Sequence, residues 1–290
     1  ELTDGQVKIE HYPGEQLGKA GDLLKLTKDG AVDIGYVATP YYESELQISN
    51  SLLGMPGLYK DGLEGTLAYQ AILHQEPVLE KDFLSNGIRP LAAATTTPYE
   101  FFTAGKEIKN PEDLKGARVR SPGGVSNYLF DELGAVVVSV TTAEMFEAFD
   151  RGLVDTLYMF PRSLNDAGLG ELVEYGTQGL GLGGSGMILA INEKKWQSLP
   201  ENVQEAMLTA GKEAGENYAR LDLEQGKKVL EEWEAAGKNI VDLSETESAA
   251  KWKEFIDKFN ENWIKEKNNP DFEKAFEMFQ QEVEKVRSGN

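Results

Sequence analysis

The sequence predicts an α/β protein of two similar lobes with one long helix spanning them, and three observations carry that expectation. Short β-branched runs alternate with helical patterns through roughly the first half of the chain, the pattern of strands covered by helices. A helix, glycine, strand unit occurs twice, as GAVDIGYV from Gly30 to Val37 and as GLVDTLYM from Gly152 to Met159. From Glu201 to Ala236 no proline intervenes and glycines are few, enough for one helix of about 35 residues.

In chain order, VKIEHY (7–12) reads as a strand, 19–29 as a helix, VDIGYV (32–37) as a strand and 61–85 as helices. RPLAAATT (89–96), ARVRS (117–121) and AVVVSV (135–140) read as further strands, and the alternation predicts largely parallel sheets covered on both faces. Thr141 with Glu144 makes a capping box ahead of Met145, Phe146 and Phe149, and Gly152 stands where a left-handed residue ends that helix. The two glycine units match Asp33 with Asp155 and Tyr36 with Tyr158. Two lobes facing each other across a cleft is one reading of that match, since ligands of open sheets bind beyond the carboxyl ends of strands. A common helix-to-strand turn is the other, and the residues leave both open. The long helix spans about 50 Å, more than one small lobe. Its apolar residues are too sparse for a coiled coil or a membrane span, which leaves a strut across domains. Trp252, Phe255, Ile256, Phe259 and Trp263 recur at helical spacing and read as a helix docked on a core.

Composition removes whole classes of function. The chain carries 49 acidic against 29 basic side chains, a formal charge of -20, which repels nucleic-acid backbones and anionic membrane surfaces. Without cysteine there is no disulfide and no thiolate chemistry. The two histidines, His11 and His74, are far apart and have no metal-binding spacing, and no nucleophile elbow, P-loop or dinucleotide fingerprint occurs. No apolar run is long enough to span a bilayer and no signal peptide opens the chain, so a mature or trimmed form is expected. A binding protein without metal or cofactor is the leading expectation. An α/β enzyme and a ligand-presenting sensory protein are the alternatives.

The stretch LKGARVRSPGG (114–124) is where binding is expected. Arg118 and Arg120 share one strand face. Either is readable as a surface arginine among many carboxylates, but Arg120 closes the strand, and a guanidinium at a strand tip in a cleft grips a carboxylate with a planar fork. Gly123 and Gly124 after Pro122 let the backbone come close, and lead into a helix at 125–133.

These blocks, together with GQVKIEHYPGEQLG, DGAVDIGYV, IKNPEDLKGARVRSPGG, LGAVVVSVTTAEMFEAFDRGLVD and AINEKKWQSLPENVQEAM, resemble the substrate-binding proteins of tripartite ATP-independent periplasmic (TRAP) transporters over almost the whole chain. The resemblance implies a periplasmic-binding-protein-like fold with a hinge, lobe I at 1–98 and 186–225, lobe II at 99–185 and 226–290, and a long helix crossing both. It implies a periplasmic protein, a monomer, that captures an organic acid and delivers it to TRAP-type membrane permease subunits. Arg120 takes the place of the arginine that binds the ligand carboxylate. Family members carry a strand and helix before VKIEHY, roughly 30 residues, and the chain is expected to lack that unit.

Two further departures bear on the ligand. Where many members read Gly-Gln-Glu-Asn-Pro, this chain has TLYMFP (156–161), with Met159 near the asparagine position, and a second arginine used by some members falls near Glu100 within TPYEFF (97–102). Tyr, Met and Phe in place of polar groups imply a monocarboxylate with a hydrophobic or aromatic body. The expected ligand contacts are Arg120 and Gly123 at the strand end, with Tyr36, Tyr41, Tyr99, Tyr158 and Met159 lining the cleft; Tyr158 and Phe160 packing a hinge is the alternative for that segment.

Overall fold

The computed structural model describes residues 2–289, Asp4 excepted. The chain runs through α1 (Leu23–Lys28), β1 (Ile34–Ala38), α2 (Gln47–Leu53), α3 (Gly62–Leu73), β2 (Ile88–Thr95) and β3 (Glu100–Thr103). It continues through β4 (Arg118–Ser121), α4 (Val125–Glu132), β5 (Val136–Ser139), α5 (Met145–Asp150), β6 (Thr156–Met159) and α6 (Pro161–Asp166). β7 (Tyr175–Gln178), β8 (Gly186–Asn192), α7 (Glu193–Gln197), α8 (Glu201–Ala235), β9 (Asn239–Asp242), α9 (Ala249–Lys267) and α10 (Pro270–Ser288) complete it.

Two sheets form, one per lobe: a three-stranded sheet in the order β1-β8-β2 and a six-stranded sheet in the order β5-β4-β6-β3-β7-β9. Both glycine units are helix stops. Gly30 (φ 77°) and Gly152 (φ 67°) adopt the left-handed conformation. In each, two backbone N–H groups beyond the glycine return to one carbonyl: Ala31 and Val32 to Leu26, Leu153 and Val154 to Ala148. β1 and β6 follow directly, so the same local chemistry launches one strand in each lobe. The capping box holds too, with the Thr141 backbone N–H and hydroxyl both donating to Glu144 at 2.9 and 2.8 Å.

Three expectations are corrected. The first sheet is not largely parallel: β8 lies antiparallel between β1 and β2, arriving from 90 residues or so downstream, a pairing that local pattern does not reveal. The segment 7–12 forms no strand. β1 lies at a sheet edge, no described residue pairs with its outer side, and Ile9 is 68% exposed. The last helix, assigned with 226–290 to lobe II, packs on α3 and α2 of the first lobe. The Phe279 ring meets Tyr59 edge-on, and Arg287 donates to both oxygens of the buried Glu64 carboxylate at 2.9 and 3.0 Å. Trp252, Phe259 and Trp263 on α9 are buried as expected, with Phe259 stacked on Trp263.

α8 packs against β2 and α3 on one side of the molecule and α6 and β9 on the other, so it straps both lobes. Glycines allow its close approach. A Cβ on Gly211 would sit 2.0 Å from the Leu91 carbonyl oxygen, and one on Gly215 would sit 2.1 Å from that of Ala93. Both obstacles are sheet backbone, which cannot swing aside. Gly211→Ala is therefore expected to lower unfolding free energy by about 1–3 kcal/mol despite alanine's better helix propensity. Urea denaturation measures it, and an unchanged or raised midpoint would mean the helix sits farther from the sheet.

Candidate ligand-binding cleft

A cleft of about 1380 Å³ lies between the lobes. Its floor in the first lobe is one face of the β1–β8 ladder. Registered pairs Ile34 with Ile191, Tyr36 with Leu189, and Ala38 with Met187 all face it, while the alternate residues Val37, Ile188 and Ala190 are in the core. The second lobe contributes Thr142, Met159, Phe160 and Ser163. A smaller cavity of about 240 Å³, lined by Glu43, Gln47, Lys267 and Asn269 among others, contains none of these residues.

Arg120 sits near the end of β4, one residue before its last, but it stands one layer behind the cleft wall and is fully buried. Its Nε donates to the Val140 carbonyl at 3.1 Å. One terminal nitrogen reaches the Tyr158 carbonyl at 3.3 Å and the Met159 sulfur at 3.4 Å, and the other reaches the Thr142 hydroxyl at 3.5 Å, with the Tyr41 hydroxyl close by. Burial pushes its pKa down, and the groups that push it back up are Tyr99, Tyr41 and Tyr158; no carboxylate is among them. A buried guanidinium remains charged, and without a counter-ion it is strongly under-compensated. Arg118, by contrast, is half exposed and pairs with Asp155 at 3.1 Å, tying β4 to the start of β6. The two arginines thus divide as a surface ion pair and a buried charge with no carboxylate partner among the described residues.

Tyr41 lines the cleft and bridges the lobes: its hydroxyl lies 3.4 Å from the Thr142 hydroxyl and accepts from the Thr142 N–H at 3.3 Å. Tyr99, also lining, shares a hydrogen bond with Ser185 at 3.0 Å. Tyr36 is 41% exposed, into the cleft, and burial raises its pKa because protein surrounds that concave face. Met159 lines the wall over Arg120. Tyr158 does not line it. Its ring turns away to meet Tyr99 and Phe130 edge-on, both at 4.9 Å, its hydroxyl donates to the Leu182 carbonyl at 2.6 Å, and only its main-chain oxygen faces Arg120. For Tyr158 the packing alternative is what the structure adopts.

Gly123 is likewise displaced from the lining. Its N–H donates to the Ser121 hydroxyl at 3.0 Å, within its own lobe. At φ 103° it abuts the other lobe, where an added Cβ would lie 2.8 Å from the Pro40 carbonyl oxygen. Gly124 does the same against Asn50, whose Oδ1 would lie 2.2 Å from a Cβ. The glycines serve the seam between lobes.

Two connections cross between the sheets side by side, 96–99 and 179–185, joined by Thr96 N–H to Ser185 O at 3.0 Å and Tyr99 N–H to Gly183 O at 2.7 Å. Glu100, at the position where the resemblance aligned a second arginine, anchors the glycine-rich connection instead of facing the cleft. Its carboxylate accepts from the Thr177 hydroxyl at 2.6 Å and from the Leu180 and Gly181 N–H groups at 2.9 and 3.2 Å. Burial raises its pKa from 4.5 to about 7 against the pull of those donors, with Asp242 adding a smaller push upward. Between those two values the native carboxyl is protonated while the unfolded one is ionised. Stability therefore falls as pH rises through that window, by roughly 3 kcal/mol for this group. Asp82, pushed by burial to about 6, acts in the same direction. Denaturation at pH 5 and pH 8 is expected to show a smaller difference for Glu100→Gln than for the native chain; equal differences would mean Glu100 is ionised throughout.

Residues that the sequence did not single out for the cleft include Thr142, Met187, Leu189 and Tyr218. Alternation in GMILAIN carried a signal for Met187 and Leu189. Tyr218 sits inside the strut-like α8, where nothing in the pattern separates a lining residue from a surface one.

Two α/β lobes joined by paired connections and strapped by one helix define the class of two-lobed solute-binding proteins. Residues 1–267 match the DctP family of bacterial extracellular solute-binding proteins, family 7, and the chain belongs to that family. It is an extracytoplasmic solute-binding protein of the TRAP type. It is 26% identical over 275 residues to the monocarboxylate 2-oxoacid-binding periplasmic protein of a Nostoc species, covering 92% of this chain and 73% of that one. Its fold matches a TRAP periplasmic solute-binding protein of Bordetella bronchiseptica with bound (R)- and (S)-mandelate, at TM-score 0.86 and 20% identity, over 98% of this chain and 90% of that one. A TRAP solute-binding protein of Rhodoferax ferrireducens in complex with copurified benzoate matches at TM-score 0.86 and 20% identity, over 99% and 90% of the two chains. Among the described residues no helix is long and apolar enough to cross a membrane.

Proposed function

We propose that the chain captures a monocarboxylate with a hydrophobic or aromatic body between its lobes in the periplasm and delivers it, unchanged, to TRAP-type permease subunits. The observation that carries this reading is the buried Arg120 guanidinium with no carboxylate partner among the described residues, beside a wall of Tyr41, Tyr99, Thr142 and Met159. Its two longest contacts, to a hydroxyl at 3.5 Å and a thioether at 3.4 Å, are the ones an incoming carboxylate would replace, entering between Thr142 and Met159. The apolar ladder face of β1 and β8 then receives the body of the ligand, with few polar groups to fix its orientation. The mandelate and benzoate held by two proteins of the same fold, and the 2-oxoacid monocarboxylates named for a relative, agree with that chemistry. Arg120, Tyr41, Tyr99, Tyr36 and Met159 are the ligand contacts; Tyr158 and Gly123 act through packing and the seam.

A thermal-shift screen over aryl and alkyl monocarboxylates, 2-oxo acids, dicarboxylates and sugar acids tests this, because a ligand bound only by the folded state raises the midpoint by mass action. Aryl or bulky alkyl monocarboxylates are expected to give the largest shifts. Shifts confined to dicarboxylates or sugar acids would overturn the ligand class, and conversion of the ligand in proportion to protein added would overturn a purely binding role.

A further inference from the structure

We propose that Asp222 and Arg162 are positioning residues for ligand capture: they tie lobe II and the connection between the lobes to α8 at one buried point, and their pairing strengthens binding although neither side chain meets the acid. This rests on the reading of the cleft as a site that closes around an acid, and adds to it how closure is held. Asp222 is buried on α8, beyond Gly215, where the helix still lies against the backbone of β2. There α8 belongs to the first lobe: Gln70 of α3 donates to the carbonyls of Ala93 on β2 and Lys212 on α8, at 2.8 and 3.2 Å. One oxygen of Asp222 accepts from the Thr97 hydroxyl at 3.0 Å, in the connection that carries the chain from β2 to β3. The other faces the guanidinium of Arg162 on α6, a second-lobe helix, at 3.5 Å. Neither Asp222 nor Arg162 lines the cleft, whereas Phe160 and Ser163, which flank Arg162, and Tyr218, one turn before Asp222, do.

The pair is slack in this arrangement of the lobes. Arg162 stands 3.5 Å from both Asp222 and Asp166, beyond the reach of about 2.7–2.9 Å that a charge-assisted hydrogen bond prefers. Its buried Nε has no hydrogen-bond partner among the described residues. A buried ion pair held this loosely is under-compensated, so a short movement of α6 toward α8 strengthens it. The same movement carries Phe160 and Ser163 toward Tyr218, whose ring already packs 5.4 Å from the Arg162 guanidinium. An acid gripped between these walls favours the approach from the cleft side and the ion pair favours it from behind, so both act on one equilibrium. Because Thr97 holds the same carboxylate, the connection between the lobes stays fixed to α8 while α6 moves.

A double-mutant cycle of Asp222→Asn, Arg162→Gln and the two combined tests the proposal, with benzoate as the probe in calorimetry and with urea denaturation and native-state hydrogen exchange beside it. Each single substitution is expected to weaken benzoate binding about five- to tenfold, and the combined variant no more than either, since removing one partner already dissolves the pair. Arg162→Lys, which keeps the charge but not the planar fork, should recover part of the loss. Losses that add, or an unfolding free energy that falls while benzoate affinity holds, would overturn the proposal and leave the pair a support of the fold alone. If the native chain does not bind benzoate, the aryl-acid reading falls by itself and hydrogen exchange decides on the anchor. The Thr96 and Tyr99 amides, which bond the two connections together, should then exchange about tenfold faster in Asp222→Asn than in the native chain, with the β1 amides unchanged. Equal exchange at those two amides would overturn the anchor as well.

Discussion

Arg120→Ala is expected to weaken binding of the acid by about 2–5 kcal/mol, because the ligand carboxylate would then be buried without its charged partner. Alanine also strips a donor from the Val140 and Tyr158 carbonyls, so unfolding free energy must be measured beside affinity. Arg120→Lys separates the contributions: it keeps the charge but loses the planar fork, and a bidentate site should still lose affinity where a merely electropositive cleft should not. Arg118→Ala is the matched control. Its half-exposed pair with Asp155 lies away from the cleft, and its loss should change binding by under about 1 kcal/mol. Titration calorimetry with one acid on all three variants decides the matter. Equal small losses at 118 and 120 would mean that Arg120 is structural, held by Val140 and Tyr158 for the sake of β4 alone.

What was legible in the sequence was local chemistry. The helix stops at Gly30 and Gly152, the Thr141–Glu144 box, the length of α8 and the buried stripe of α9 all follow from residues within a few positions of one another. The placement of Arg120 near the end of β4 was legible for the same reason. What failed was non-local or two-sided. β8 enters the first sheet from far downstream, so the pairing that makes the cleft floor had no local signature. In β6 all four residues are buried, since helices and neighbouring strands cover both faces. Without an exposed face there is no polar alternation to say which of Tyr158 and Met159 looks into the cleft. Matching Tyr158 to Tyr36 by register placed Tyr158 in the cleft beside Met159, whereas only Met159 of the two lines it: the two tyrosines share a position in their units but not the environment of their sheets. Arg120 standing behind the cleft wall is the same effect one strand over, with Val119, Arg120 and Ser121 all buried.

Gly123→Ala is expected to lower affinity by roughly ten- to a hundredfold without touching a ligand contact. At φ 103° any side chain is strained, and that strain is present whether the lobes are apart or together. The clash with the Pro40 carbonyl oxygen is different, because it exists only when the lobes meet, and backbone on both sides of the seam has little room to yield. Closure of two lobes about a hinge buries the cleft surfaces of both and excludes water, so a substitution that opposes only the closed arrangement subtracts directly from binding. Small-angle scattering supplies the readout that a ligand-contact role would not move. The native chain should contract on adding saturating acid, whereas Gly123→Ala at equal occupancy should retain a larger radius of gyration. Gly116→Ala, also at positive φ but with open space around the added carbon, controls for backbone strain and should lose stability while keeping affinity and contraction. If Gly123→Ala contracts as fully as the native chain and still loses affinity, then Gly123 meets the ligand after all, and the seam does not govern closure.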